Sequence, residues 1–233
     1  MTDTDSALVV GVGPGLGEAV ARRFAEGGAG VGLLARSAGY LEELAAELPD
    51  ATALPLDATD DEAAERAVER VREAHGPVDA LVVNIPGPDD PGGEGTAASV
   101  ADLRRCWELQ VPTLLRFVRA AEADLRPGGT VVVTNSMACR RAGDSPARAS
   151  ARFGLRGATL SLADALSPAG VHVAHLVVDG WLDRPDLRER FPDHDRWTDP
   201  AAVADTVAHL VGQPTEAWTH ELDVRARGDE VRG

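Results

Sequence analysis

The chain contains no lysine. All 23 of its basic residues are arginine, set against 38 aspartates and glutamates, for a formal charge of −15. An acidic excess of that size, with no basic stripe, argues against nucleic acid or an anionic membrane as a partner. The only tyrosine is Tyr40, so no other position can supply a phenolic acid. Two cysteines, Cys106 and Cys139, cannot build a disulfide framework, and a reducing cytoplasm is the expected setting. No apolar run approaches the ~20 residues that a membrane span needs. No cluster of Cys, His and carboxylate has metal-ligand spacing, so no metal is expected. The first residues, Met1 to Ser6, are polar and acidic, unlike a signal peptide. Residues 1–6 are expected to be disordered ahead of the first strand.

What is present is an alternation of apolar strands and amphipathic helices across 233 residues, the size of one α/β domain. Largely apolar runs at Ala7–Val10, Val31–Ala35, Ala53–Leu56, Val78–Val83, Thr130–Thr134 and Val171–Val178 read as strands, and Ala217–Val224 as a last one. Helical spacing covers Leu16 to Phe24, Leu41–Leu48, Asp60–His75, Ala98–Leu125, Pro146–Leu166 and Pro200–Val211. Pro112 is expected to kink the long fourth helix. The stretches Ile85–Thr96 and Gly180–Asp199 read as a surface loop and an irregular segment. Continuous apolar strands separated by helices predict a parallel sheet covered on both faces, in a single domain over 1–233.

The stretch Gly11-Val-Gly-Pro-Gly-Leu-Gly17 lies between the first strand and the first helix. Gly11 and Gly13 permit a tight turn and close approach of backbone to a pyrophosphate. Gly17 permits close packing of helix on strand, and the helix N-terminus favours negative charge. A second signal sits at the end of the second strand, where a carboxylate would bind a ribose 2′-hydroxyl. Here Ala35 is followed by Arg36-Ser37, a guanidinium and a hydroxyl suited to a 2′-phosphate. NADP(H) is therefore the expected cofactor.

The turn resembles the TGxxxGxG turn of the short-chain dehydrogenase/reductase family, with Val10 where threonine is usual. The resemblance runs over nearly the whole chain and implies a Rossmann-type doubly wound sheet of seven strands, ordered 3-2-1-4-5-6-7. It assigns Gly11, Gly13, Gly15, Leu16 and Gly17 to the cofactor turn, Asp57 to the adenine ring, and Asn84, in Leu81-Val-Val-Asn-Ile-Pro-Gly87, to the sheet beside the adenosine. Asp179-Gly180 stands for the family's Pro-Gly turn beside the nicotinamide.

In that family a Ser, an Asn and a Tyr-x-x-x-Lys pair form the reaction centre. By the resemblance Ser136 falls on the serine, Gln110 on the asparagine and Arg152 on the lysine, with Arg148 where the tyrosine should stand. The interval from Ser136 to Arg148 is one residue shorter than the family's usual spacing. Arg152 can still donate to ribose hydroxyls. Neither arginine can act as a general acid near neutrality, since a pKa above ~12 holds the proton too tightly. Arg148 can stabilise an oxyanion electrostatically, leaving water to supply the proton, or it can point to solvent. One helical turn apart, the two arginines would repel unless an anion sat between them. Asp144, Ser145, Cys139, His172 and His175 are further candidates for proton transfer. His172 and His175 fall on opposite faces of one strand.

The expected function is an atypical NADP(H)-binding reductase or dehydrogenase acting on a small carbonyl compound or alcohol. The alternatives are a lyase, isomerase or cyclase acting on an anionic or enolisable substrate, and a non-catalytic cofactor-binding partner of an active homologue. Trp181, Phe191 and Trp197 lie where the family carries its substrate lid. Family members usually pair through their two long middle helices. The apolar residues Leu103, Trp107, Leu114, Phe117, Phe153, Leu155, Leu160 and Leu162 there predict a homodimer or homotetramer.

Overall fold

The structure is a computed structural model, and it describes residues 4–88 and 90–227. Seven parallel strands form the sheet: β1 (Ser6–Val10), β2 (Gly30–Ala35), β3 (Ala51–Pro55), β4 (Ala80–Val83), β5 (Thr130–Ser136), β6 (His172–Asp179) and, last in the chain, β9 (Glu221–Arg225). Their order is β3-β2-β1-β4-β5-β6-β9, the expected one. In β1, and in β4 and β6 up to Val178, every residue is buried. Strands covered on both faces have no reason to alternate, so the continuous apolar runs mark the middle of the sheet.

Helices α1 (Leu16–Glu26), α2 (Ala38–Glu47) and α7 (Pro200–Val211) cover one face. There Phe24, Leu41, Leu44, Val203 and Val207 pack on Val9, Leu33, Val132 and Leu176. Helices α3 (Ala63–His75), α4 (Val100–Leu125) and α5 (Pro146–Leu166) cover the other. Val71, Leu114, Phe117 and Leu155 pack there on Leu8, Leu81, Val131 and Val173. The starts of the later helices are written locally. Ser99 and Asp102 form a reciprocal capping box on α4. Ser145 and Asp199 cap α5 and α7, each followed by a proline in the first turn, where a missing N–H costs nothing.

Four expectations need correction. The residues 4–6 are ordered: the Asp79 carboxylate accepts the amides of Asp5 and Ser6 (3.0 and 3.2 Å), and β1 begins at Ser6. Residues 1–3 lie outside the described residues. Pro112 leaves α4 a single continuous helix. The Glu108 carbonyl that the proline leaves without a backbone donor accepts the Thr113 hydroxyl at 3.3 Å instead. The last strand starts at Glu221 because Trp218 turns aside to stack on His172, with ring centroids 5.1 Å apart. The segment from Gly180 to Asp199 is more regular than expected. It holds the short helix α6 (Pro185–Arg190) and a two-residue parallel pair, β7 (Trp181–Leu182) with β8 (Trp197–Thr198). Trp181 meets Phe191 edge to face at 4.2 Å, and Trp197 donates its indole N–H to the His194 carbonyl, so aromatic contacts fold the lid on itself.

Candidate active site

The loops after β1, β4, β5 and β6 meet at the carboxyl ends of the strands. Gly11, at φ +95°, donates its amide to the Leu34 carbonyl. A Cβ on it would lie 2.1 Å from the Asn84 carbonyl oxygen, and one on Gly17 would lie 2.3 Å from the Gly11 carbonyl oxygen. Those two glycines allow turn, helix and sheet to close up. Gly13 is different, because a Cβ there would meet nothing within 4 Å and the residue lines an open cleft. Gly15 ends the turn at φ +112° and leads into α1 without a side-chain cap, leaving amide groups at the helix start available to a ligand. Leu16 is buried beneath them and also lines the cleft. Asn84 fastens the floor: its amide donates to the Gly11 carbonyl (3.0 Å) and its side-chain oxygen accepts the Thr134 hydroxyl (2.7 Å).

Beyond the glycine turn, after β3, Asp57 is held below the usual carboxylate range by the amide and hydroxyl of Thr59, at 2.9 and 2.7 Å. Arg36 and Ser37 are exposed, and the Ser37 hydroxyl does not cap α2. The sole tyrosine is held by a carboxylate of α1. Tyr40 donates to Glu18 at 2.6 Å, and burial together with that carboxylate raises its pKa.

At the other end of the cleft, β5 delivers Asn135 and Ser136. The Asn135 amide is a junction. Its oxygen accepts from the Ser136 backbone N–H (2.9 Å) and more distantly from Arg152 Nη1 (3.4 Å). Its nitrogen donates to the Arg152 carbonyl (3.1 Å) and to His175 Nε2 (3.0 Å). Arg152 reaches the cleft wall from α5 and forms no ion pair with the described residues. Burial, and secondarily Arg148, push its pKa down to about 10.

Gln110 is buried and turned to the β4 loop, where Nε2 donates to the carbonyls of Ile85 and Pro86 at 3.2 and 3.0 Å. Arg148 is exposed in the first turn of α5 and lines neither cleft. The Ser145 hydroxyl, accepting the Arg148 amide at 3.3 Å, fixes the helix start so that Ala147, Ala149 and Ala151 face inward and Arg148 outward. Asp144 is exposed and Ser145 is spent on the cap. Cys139 is buried, and burial raises its thiol pKa. His172 and His175 are both buried, the first stacked on Trp218 and the second bonded to Glu221, and burial lowers the pKa of each.

Ser136 stands where two cavities meet. One, of 390 Å³, runs from the glycine turn past Asn84 and Arg152. The other, of 510 Å³, lies under the lid between Met137, Asp179, Trp181 and His194. The Arg184 stem lies over Gly15, where an added Cβ would come within 2.9 Å of it, while its guanidinium pairs with Asp186.

The comparisons with known proteins decide the family. The model described as short chain dehydrogenase matches residues 5–189. The chain belongs to the short-chain dehydrogenase family. It is 30% identical over 207 residues to the Streptomyces violaceoruber protein named "Granaticin polyketide synthase putative ketoacyl reductase 2", covering 83% of this chain and 81% of that one. It is 28% identical to the cis-4-hydroxycyclohexanecarboxylate dehydrogenase of Sinomonas cyclohexanicum, covering 88% of each. Among solved structures, a short chain dehydrogenase from Burkholderia cenocepacia J2315 in complex with NADP superposes with a TM-score of 0.80 at 27% identity, covering 95% of this chain and 96% of that one.

The glycine-rich turn opens α1 and Ser136 ends β5, the places where the resemblance expected a cofactor turn and a serine. Several residues of the site escaped the sequence reading. Asn135 could have been noticed as the polar neighbour of Ser136. His194 and Arg184 lie in a segment with no periodicity to place them, and Glu221 belongs to a strand 85 positions after Ser136.

Proposed function

We propose that this short-chain dehydrogenase binds NADP(H) and interconverts a small carbonyl compound and its alcohol at Ser136, in an active site without the usual tyrosine and lysine. The observation that carries the reading is the position of Ser136, at the junction of the glycine-turn cleft and the pocket under the lid. The residues fit a nicotinamide dinucleotide. Gly13 leaves room for a pyrophosphate against backbone, the α1 N-terminus has no side-chain cap, and Arg152 is a half-buried cation with no ion pair among the described residues. Arg36 and Ser37 would hold a 2′-phosphate, and Asp57 the adenine. The bound nicotinamide supplies or accepts the hydride.

The chain's own residues do the rest. The Ser136 hydroxyl, which makes no hydrogen bond to the described residues, donates to the substrate oxygen and polarises the carbonyl. Arg152 orients the ribose and adds positive potential near the developing oxyanion. Arg148 points to solvent, so the pair of arginines that favoured a lyase, isomerase or cyclase does not form in the pocket, and the redox reading is preferred. The proton comes from water in the open lid pocket or from His194, whose ring lies there beside Trp181 (5.8 Å) and Trp197 (4.8 Å). Lacking a tuned general acid, turnover should be slower by ~10²–10⁴-fold than a complete site would allow.

Assembly into a homodimer or homotetramer through α4 and α5 belongs to the same reading. Leu114, Phe117 and Leu155 serve the chain's own core. Trp107, Leu115 and Phe153, each 40–45% exposed, remain for a partner. A dimeric or tetrameric mass by light scattering is the expected result.

The test is titration of wild type and Arg36→Ala with NADPH and NADH, followed by NADPH oxidation with a panel of activated ketones. Wild type should prefer NADPH at least tenfold, a difference of ~1.4 kcal/mol that one charged hydrogen bond supplies. Arg36→Ala should lose the preference, and Ser136→Ala should lose turnover. Equal affinities overturn the NADP assignment. Binding without turnover makes the chain a cofactor-binding partner, and no binding overturns the reading.

A further inference from the structure

Beneath the site, three polar side chains from three strands form one line, with Asn135 and His175 buried and Glu221 half-buried. The Glu221 carboxylate, on β9, accepts Nδ1–H of His175 at 3.1 Å. His175, on β6, has no exposed surface, and its Nε2 faces the Asn135 amide nitrogen at 3.0 Å. Asn135, on β5, then touches both Arg152 and the Ser136 backbone. Each contact constrains the next. A carboxylate can only accept, so Nδ1 carries the proton. In a neutral imidazole Nε2 must then accept, and only the NH₂ side of the Asn135 amide can face it. The amide oxygen is thereby aimed at Ser136 N–H and at the Arg152 guanidinium. Reversed, the amide would set its NH₂ against those two donors and its oxygen against a nitrogen lone pair.

We infer that Glu221 and His175 are positioning residues, which set the Asn135 amide and through it the placement of Arg152 and the β5 serine in the cofactor cleft. This rests on the reading of the cleft as a nicotinamide-nucleotide site. Glu221 is suited to fix the far end, because it is itself immobilised. Arg156 Nε and Nη2 donate to it at 2.6 and 3.0 Å, and Arg140 Nη2 at 2.8 Å. Arg156 lies one helical turn beyond Arg152 on α5. The Glu221 carboxylate therefore holds the helix that carries Arg152 directly as well as through His175 and Asn135. A merely structural pairing of edge strand to sheet would hold β9 in place but would not dictate the amide's orientation.

The experiment compares wild type with His175→Gln, whose amide can both donate to Glu221 and accept from Asn135, and His175→Phe, which keeps an aromatic ring there and can do neither. In the nucleotide-free protein, ¹⁵N spectra should show His175 protonated on Nδ1 and bare on Nε2. The Arg152 Nε–H resonance should be shared by wild type and His175→Gln and displaced in His175→Phe. Titration with NADPH should show His175→Gln within about threefold of wild type and His175→Phe weakened about tenfold, the effect of one lost hydrogen bond in the chain. A wild-type His175 protonated on Nε2 overturns the inference even if the Phe variant fails to fold. So does a folded His175→Phe whose melting temperature falls while its Arg152 resonance and NADPH affinity stay unchanged. If wild type binds no nucleotide, the proposed function fails, and the tautomer and the Arg152 resonance still decide the positioning role.

Discussion

The two ends of the cleft are built on different principles. At the glycine-turn end, backbone shape does the work: Gly11, Gly13 and Gly17 contribute no side chain, and Asn84 only fastens the turn to the sheet. At the Ser136 end, everything depends on single side chains and their orientation, from Ser136 to Asn135, His175 and Arg152. A site made of backbone changes little unless the fold does. A site made of side chains can be re-equipped residue by residue on the same scaffold. Here the glycine turn rests on backbone fit, while arginine stands at both positions, 148 and 152, that the family resemblance assigned to the Tyr-x-x-x-Lys pair.

The largest effect that would break this comparison lies in the turn itself. Gly11→Ala places a methyl 2.1 Å from the Asn84 oxygen on a backbone at φ +95°. Strain and overpacking together should cost about 3–5 kcal/mol and abolish nucleotide binding. Gly13→Ala meets no protein atom within 4 Å, so its melting temperature should stay near wild type while nucleotide affinity falls tenfold or more. Thermal unfolding and nucleotide titration of the two variants check this. If both lose stability, or neither loses affinity, backbone shape is not what the turn contributes.

Acid separates the two ends next. Arg156 first, then Arg140 and His175, hold Glu221 down to a pKa of about 2, against an ordinary 4.5. A depressed carboxylate stabilises the fold fully above its unfolded pKa and loses that contribution as pH falls toward the folded value. Up to about 3 kcal/mol should therefore drain away between pH 4.5 and 2. His172 and His175, kept neutral by burial, act earlier, because the unfolded chain takes up their protons as pH drops below 6.5. The loss should start at the Ser136 end. Hydrogen exchange at pH 4 should open β6 and β9 before β1 and β2, and uniform opening would contradict the comparison.

How much of this was legible in the sequence follows from the same division. The glycine turn is a local pattern whose place between β1 and α1 could be read directly, whereas Asp57, Asn84 and the strand order were drawn from the family resemblance. The start of α5 was equally local, a serine before a proline. Whether Arg148 or its neighbours faced inward was not legible, because the cap sets the helix phase and one residue of phase exchanges an inward alanine for an outward arginine. The line Glu221–His175–Asn135 joins residues 46 and 40 positions apart, and only strand register brings them together. His194 and Arg184 depend on the lid's aromatic packing, which has no period to read.

Arg152 gives the third test. A half-buried, partly desolvated guanidinium without a carboxylate partner among the described residues is a cost to the nucleotide-free protein, which its long contact to Asn135 does not offset. Arg152→Met keeps an unbranched stem and removes the guanidinium and its charge. It should raise the stability of the nucleotide-free protein by about 1 kcal/mol while lowering NADPH affinity by tenfold or more, the trade expected when a strained group is kept for a ligand. Denaturant unfolding with and without NADPH measures both. A variant that loses stability without nucleotide would mean that Arg152 is a structural residue and that the charge in the cleft is incidental.

The smallest effect belongs to Arg148, and it sharpens the comparison most. Four residues before Arg152 it carries the same charge, but it is exposed and makes no ion pair with the described residues. Arg148→Ala should shift stability by no more than about 0.5 kcal/mol, as surface substitutions usually do. The Arg148 charge helps to lower the Arg152 pKa, so removing it should ease the placement of Arg152 slightly rather than harm it. Nucleotide affinity should therefore stay within about twofold of wild type, and carbonyl reduction should survive unchanged. Steady-state kinetics beside Ser136→Ala provide the measurement. If Arg148→Ala lowers kcat as much as Ser136→Ala does, the arginine swings inward during turnover, and the reaction end is built from Arg148 as well as from the β5 residues.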